Sequence, residues 1–376
     1  MHKILVIGAG KIGSAIARLL DATGDYAVAV ADSAAAQLDR LTCGSRIERL
    51  VLDVTDPAAL RLALAGRFAV LSAAPYHLTG RIAESARSAG THYLDLTEDV
   101  ATTRLVRQLA DGADTAFIPQ CGLAPGFVSI VASDLARRFD RLDTVKMRVG
   151  ALPQYPSNAL NYNLTWSTDG VINEYCEPCE AIVNGQRRET TPLEEVESFA
   201  LDGVTYEAFN TSGGLGSLCE TLEGRVRNLN YRTIRYPGHA AIMKMLLNDL
   251  NLRNRRGVLK DILEGALPST EQDVVIVFVT VSGLTGGRLT QHTYANKIYA
   301  APVAGVMRTG IQITTASAIC AVLDLLANGA LPAHGLIRQE DIALEHFLAN
   351  RFGGAYAQGG AAAPADDGTP LLKAAS

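Results

Sequence analysis

Six short apolar runs, KILVIG, AVAVAD, ERLVLDV, FAVLSAA, HYLDLT and AFIPQC, punctuate the first 120 residues, with segments of helical spacing between them. Strands that alternate with helices in this way pair in parallel through crossovers, which demands a parallel sheet with helices on its faces. The helical stretches open at Lys11, Ser33, Pro57, Leu78 and Glu98. Pro57 behind Asp56 is a good start, because proline suits the first helical position and aspartate caps the free amides. Gly90 is placed to stop the helix that ends in ARSAG.

The pattern changes after Gly126. FVSIVASDLARRF reads as a helix, TVKMRVGAL as a strand, and alternating strands with hairpin signals follow. Asn184-Gly185 and Gly286-Gly287 each lie between β-like runs, as tight hairpins require. GIQITTASAICAVLDLLANG and EDIALEHFLANRF are helical again. These changes divide the chain into a sheet domain (1–125), an antiparallel-rich substrate-binding and dimerisation domain (126–308) and C-terminal helices returning to the first domain (309–352). The Ala/Gly/Pro-rich remainder, 353–376, is expected to be disordered.

Gly8, Gly10 and Gly13 stand between the first apolar run and the first helix, in the spacing G-x-G-x-x-G. The next strand ends in Asp32, 19 residues beyond Gly13. That context predicts a dinucleotide cradle: Gly8 for the turn, Gly10 for approach of the pyrophosphate, Gly13 for close helix–strand packing. The amides of Lys11, Ile12 and Gly13 would face the phosphates at the helix N-terminus. Asp32 would accept from the adenosine ribose and repel a 2′-phosphate, and SAAAQ after it offers no arginine, which favours NAD over NADP. The fold class is therefore α/β, a Rossmann-type parallel sheet interrupted by a mixed α/β domain.

A net charge of −5, with no run of Lys and Arg, gives no sign of a nucleic-acid partner. The N-terminal run is too short for a signal peptide, and no segment is expected to supply the roughly 18 apolar residues that span a bilayer. Six cysteines without framework spacing fit a reduced, cytoplasmic protein. Cys176 and Cys179 form an isolated C-x-x-C, no group has metal-ligand spacing, and no G-x-S-x-G elbow is present.

The crevice of such a sheet opens at the carboxyl ends of its strands. Asp53 falls on the adenine side, and Ser72 and Ala73 where backbone and hydroxyl meet the nicotinamide ribose. Tyr76 follows at the mouth, as a reacting group or a covering ring. Asp95 ends a strand, as a base or a helix cap, and Cys121 is read as a packed residue lining the site. In the second domain Trp166, beside Ser167, is either an apolar wall or core. AFNTSGGLGS, with Thr211 and Ser212, either clasps a carboxylate or is a surface turn. Arg235 can pair bidentately with a carboxylate, and His239 sits at a helix start.

GAGKIGSAIARLL, GLAPGF, WSTDGVINEY, TIRYPGH and QITTASAICAVLDLL together resemble the saccharopine dehydrogenase family, in particular the bacterial branch that includes lysine 6-dehydrogenase. The likeness runs from Lys3 to about Phe352. It implies a homodimer and oxidation of a C–N bond at the ε-carbon of lysine, or of a lysine-derived secondary amine, giving 2-aminoadipate 6-semialdehyde, with NAD as the coenzyme that Asp32 favours. Saccharopine or carboxynorspermidine as substrate, or a non-catalytic dinucleotide sensor, are the alternatives. Carried over position by position, the pocket would comprise Tyr76, Asp95, Cys121, Trp166, Ser167, Thr211, Ser212 and Arg235. Ala124 departs from the family's GLDPG. Lysine's amine must lose its proton before hydride can leave, and Asp95 and His239 are expected to face one crevice as base and proton shuttle. Saccharopine would want a second cationic clamp, for which Arg225, Arg227 and Arg232 are the candidates, unless they form a solvated face.

Overall fold

The computed structural model describes residues 1–41 and 46–357. Strands β1 (His2–Ile7), β2 (Tyr26–Asp32), β3 (Glu48–Val51), β4 (Ala69–Ser72), β5 (His92–Asp95) and β6 (Ala116–Ile118) occupy the six apolar runs. Helices α1 (Lys11–Thr23), α2 (Ala35–Asp39), α3 (Pro57–Leu64), α4 (Tyr76–Ala89) and α5 (Val100–Ala110) connect them. The strands pair in parallel in the order β6-β5-β4-β1-β2-β3, so sheet growth reverses between β1 and β4 and leaves a crevice there. Alternate side chains of β1 feed opposite cores: Ile4 and Val6 pack on one face, Leu5 and Ile7 on the other.

Local chemistry sets the helix ends. Asp56 Oδ1 accepts from the amides of Ala58 (2.9 Å) and Ala59 (3.2 Å), and Gly90 closes α4 at φ +62°. Helix α5 begins two residues later than its spacing suggests, because Asp99 caps it through the Thr102 amide at 2.7 Å. Glu98 is thereby left in the loop after β5.

The second domain runs through α6 (Phe127–Ala136), β7 (Arg141–Pro153), α7 (Thr168–Cys176), β8 (Cys179–Val183), β9 (Gln186–Thr190), β10 (Glu197–Leu201) and β11 (Val204–Asn210). It continues with α8 (Leu218–Leu222), β12 (Asn228–Arg235), α9 (His239–Lys244), α10 (Arg256–Ala266), β13 (Asp273–Thr285) and β14 (Arg288–Tyr299). Its sheet has the order β10-β11-β12-β7-β13-β14, with the β8–β9 hairpin attached to β12. Only β12 and β7 are parallel along that path. Both expected hairpins form, with φ of +52° and +80° at Asn184-Gly185 and +56° and +76° at Gly286-Gly287. Positive φ at both central residues matches the right-handed twist of the flanking strands.

After the small hairpin of β15 (Ala301–Val303) and β16 (Val306–Arg308), helix α11 (Gly310–Ala327) packs on α1. Strand β17 (Gly335–Leu336) then adds to the open edge of β6, and α12 (Leu344–Ala349) follows. Two expectations need correction here. Helix α11, with 18 residues and a mean hydropathy of 1.6, is long and apolar enough by composition to cross a membrane, although 83% of it is buried inside the protein. The stretch expected to be disordered from residue 353 starts with an ordered turn, Gly353–Tyr356. The Tyr356 ring stacks on Phe127 with centroids 3.9 Å apart, and its hydroxyl donates to the Thr314 carbonyl at 2.7 Å. The rest, 358–376, lies outside the described residues, as does Cys43.

Candidate active site

At the crevice, Gly8 has φ +104°, and a Cβ there would meet the Ala73 carbonyl oxygen at 2.6 Å. A Cβ on Gly13 would lie 1.8 Å from the Gly8 carbonyl oxygen, so both positions require glycine for packing. Gly10 differs, since a Cβ there would meet nothing within 4 Å. Its freedom from side-chain atoms faces open space at the N-terminus of α1, where no side chain caps the amides of Lys11, Ile12 and Gly13. The Asp32 carboxylate is pinned across this loop, accepting from the Ala9 amide at 2.8 Å and the Ala34 amide at 2.9 Å. On the other side the buried Ser72 hydroxyl has no partner, beside the half-buried Ala73. An open glycine, uncapped amides, a fixed carboxylate and an orphaned hydroxyl fit a dinucleotide laid across the β1–β4 crevice. Asp53, exposed at the end of β3, folds into a turn on the Thr55 amide (2.8 Å) and hydroxyl (2.7 Å), which hold its carboxyl below the usual range.

Across the crevice, the second domain places Arg235 at the end of β12, 2% exposed. Its Nε donates to the Tyr175 hydroxyl at 2.9 Å, and that hydroxyl lies 3.0 Å from His239 Nε2. His239 Nδ1 is 3.0 Å from the Leu160 carbonyl, which can only accept, so Nδ1 carries the proton and Nε2 accepts from Tyr175. Burial, and then the Arg235 charge, lower the imidazole to about 3. The Arg235 guanidinium also lies over the Tyr162 ring at 5.2 Å.

Two carboxylates that the sequence reading did not select join this group. Glu174 lies on α7, 8% exposed, and Glu98 in the loop after β5, half-buried. Burial, and then the negative charge of Glu98, push the Glu174 carboxyl well above its ordinary value. Burial, and then Asp99, push Glu98 up to about 7. The signal for Glu174 was present, since it interrupts the buried stripe of Val171, Ile172 and Tyr175 with a charge.

Several expected site residues take different roles. Asp95 and His239 do not share a crevice. Asp95 is fully buried, accepting from the Tyr93 hydroxyl (2.7 Å), the Thr97 amide (3.0 Å) and the Gln120 amide (2.8 Å), and burial raises it to about 6. It ties three segments at the strand ends, while His239 sits in an aromatic cage with Tyr162, Tyr175 and Phe209. A histidine held neutral with both nitrogens engaged is not placed to shuttle protons. Tyr76 is 63% exposed in the first turn of α4 and touches none of these groups. The Cys121 thiol is buried, donates to the Ile118 carbonyl at 3.0 Å and accepts from Gln339 Nε2 at 3.3 Å.

Ser167 is an exposed cap of α7, accepting from the Gly170 amide at 3.2 Å, and Trp166 covers Gly170. Thr211 and Ser212 are buried in the hydroxyl loop: the Ser212 amide donates to the Glu174 carbonyl at 3.1 Å, and the Thr211 hydroxyl has no partner. The three arginines considered as a second clamp are occupied or remote. Arg232 points to the opposite sheet face and pairs with Glu195 (2.6 Å) and Glu197 (3.2 Å). Arg227 pairs with Asp143 at 2.7 Å, and Arg225 is exposed beyond the turn at Gly224. Cys176 and Cys179 are buried, and no cluster of three metal-ligating side chains occurs among the described residues.

The chain matches the saccharopine dehydrogenase NADP binding domain over residues 4–116 and the saccharopine dehydrogenase C-terminal domain over residues 122–352. It is 27% identical over 175 residues to saccharopine dehydrogenase (NADP+, L-glutamate-forming) of Saccharomyces cerevisiae, covering 45% of this chain and 39% of that protein. It is 22% identical over 273 residues to the mitochondrial alpha-aminoadipic semialdehyde synthase of Mus musculus, covering 67% of this chain and 28% of that protein. The matched regions therefore span well under half the length of these two relatives. The apo saccharopine dehydrogenase (L-Glu forming) structure from Saccharomyces cerevisiae shares the fold, with a TM-score of 0.74 and 17% identity over 93% of this chain and 97% of that one.

Proposed function

The chain belongs to the saccharopine dehydrogenase family, and on that premise we propose that it carries out NAD-dependent oxidative deamination of L-lysine at the 6-amino group. The products are 2-aminoadipate 6-semialdehyde and ammonia. The observation that carries this reading is the charge count of the cleft. Arg235 is its deeply buried cation and suits one carboxylate, while Arg225, Arg227 and Arg232 are engaged or directed elsewhere. Saccharopine brings two further carboxylates, for which those arginines offer no clamp.

In this reading Arg235 takes the substrate carboxylate on Nη2, since Nε donates to Tyr175 and Nη1 to the Ile234 carbonyl, each at 2.9 Å. Tyr175 and His239 hold that guanidinium in place. The half-buried setting disfavours the charged form of the reacting amine, whose ordinary pKa is about 10.4. When bound, the oxidised nicotinamide supplies the hydride acceptor; addition of water to the resulting carbon–nitrogen double bond then releases ammonia. The Asp32 carboxylate at the ribose end supports NAD, although the matched domain and the yeast relative both bear NADP in their names. We include the homodimer and a reducing, cytoplasmic setting in the proposal, the first to be checked by analytical ultracentrifugation.

The deciding experiment incubates purified protein with lysine or saccharopine and either coenzyme, following reduced nicotinamide at its absorbance band. Turnover of lysine with NAD at least about tenfold more efficient than any other combination supports the reading. Turnover of saccharopine alone replaces it with the relatives' reaction. Coenzyme binding with no turnover of either amine leaves the dinucleotide sensor.

A further inference from the structure

We propose that Glu98 and Glu174, one carboxylate from each domain, hold the ammonium group that lies beside the carboxylate on Arg235. The cleft then recognises the zwitterionic head of an α-amino acid, not an acid or an amine alone. This rests on the lysine-directed reading above and specifies which part of that substrate each charge contacts.

The hydroxyl loop touches the Glu98 side chain and the Glu174 main chain, and the two carboxyls act on each other. Gly213, at φ +88°, lies against Glu98: a Cβ there would be 3.4 Å from Glu98 Cβ and 3.7 Å from Glu98 Oε2. The preceding residue, Ser212, donates its amide to the Glu174 carbonyl at 3.1 Å. Glu98 and Glu174 therefore flank a single turn. Neither carboxylate accepts a hydrogen bond among the described residues; burial and then like charges raise both, and Arg235 acts on Glu174 alone.

A buried carboxyl facing a second one holds on to its proton unless a cation is shared between them, so an entering ammonium favours ionisation of the pair. Arg235 does not fill that role, since it makes no ion pair with Glu174 and spends its Nε on Tyr175. Two further groups support a polar ligand here. The Thr211 hydroxyl, one residue before Ser212, is 2% exposed and has no partner. So has the Tyr162 hydroxyl, whose ring lies under the Arg235 guanidinium. An α-amino acid presents a carboxylate and an ammonium one carbon apart, which matches a guanidinium next to an acidic pair. Because the pair is split between domains, such a ligand also draws the two halves together.

The test is calorimetric titration of the full chain, in the presence of NADH, with L-lysine and with 6-aminohexanoate. The latter keeps the carboxylate and terminal amine and lacks only the α-ammonium. Wild-type protein is expected to bind lysine at least about tenfold more tightly, the scale of one charge-assisted contact. Glu174→Gln and Glu98→Gln should each bring that ratio toward one by weakening lysine and leaving 6-aminohexanoate unchanged. Unaltered NADH affinity shows that each variant is folded, and Glu98→Gln, in a loop, carries the test should Glu174→Gln not fold. A wild-type ratio near one, or a ratio preserved in both variants, overturns the inference while lysine oxidation leaves the proposed function standing. Failure to bind either ligand, with no oxidation of lysine, overturns both.

Discussion

Arg235 and His239 are joined through one hydroxyl: Tyr175 accepts from Arg235 Nε at 2.9 Å and donates to His239 Nε2 across 3.0 Å. The chain of donors has a direction, because the Leu160 carbonyl fixes the proton on His239 Nδ1. His239 thus orients the arginine at a distance and does not exchange protons with substrate.

Tyr175→Phe removes the shared hydroxyl and leaves Arg235 Nε buried without an acceptor. A loss of about 1–3 kcal/mol in unfolding free energy is expected. The same change should raise KM for lysine about tenfold with kcat nearly unchanged, since it loosens ground-state and transition-state binding alike. His239→Gln should leave the pH profile of kcat as it is, because a group lowered to about 3 does not titrate in the working range. Loss of a limb near neutral pH in that variant would show that the imidazole does exchange protons.

Gly10 and Gly13 separate folding from nucleotide binding. Gly10→Ala meets no protein atom and sits at φ −68°, so its melting temperature should match wild type while NADH affinity falls by about tenfold or more. Gly13→Ala drives a methyl into the Gly8 carbonyl and should lose thermal stability as well as NADH binding. Equal NADH affinity in Gly10→Ala and wild type would remove the pyrophosphate from this loop.

Asp32 is expected to set coenzyme choice. Asp32→Ser removes the charge at the ribose end and should lower the preference for NADH over NADPH by about tenfold, the worth of a charge-assisted hydrogen bond. Fluorescence titration with both reduced coenzymes checks it. A preference for NADPH in the wild-type chain would reverse the assignment.

Asp95 makes a stability prediction with a defined sign. Its carboxyl is raised from 3.8 to about 6 in the folded protein, so folding favours the protonated form. That contribution is complete below pH about 4 and is lost as pH rises through about 6, an amount of about 3 kcal/mol. Asp95→Asn keeps an acceptor for the Thr97 and Gln120 amides and lets the Tyr93 hydroxyl rotate to accept, yet cannot ionise. Urea unfolding should therefore show the variant gaining on wild type as pH rises across that window. A pH-independent difference would mean that Asp95 is not the titrating group.

The parts of this protein that depend on backbone pattern were legible before folding. Alternating strands and helices, the glycine turn, Asp56 as a cap and the two positive-φ hairpins all follow from local spacing and turn chemistry. The cleft was legible only in part. Arg235, Thr211 and Ser212 stand out by residue type and position, whereas helical spacing extends to Glu98 and hides that Asp99 caps the helix after it. Glu174 shows in the sequence only as a charge within the apolar stripe of α7, and its partner Glu98 lies 76 residues away in the chain. The role of His239 depends on Leu160 and Tyr175, which lie 79 and 64 residues away in the chain, beyond the reach of any local rule. For Asp95, the strand end was right, but three donors from β5 and the two following loops enclose it.

Helix α11 and strand β17 complete the first sheet only after the polypeptide has travelled through the whole second half and back. The second half is consequently an insertion that the chain enters near residue 126 and leaves near residue 309. A fragment cut after the sixth strand would lack the covering that its own first helix rests upon.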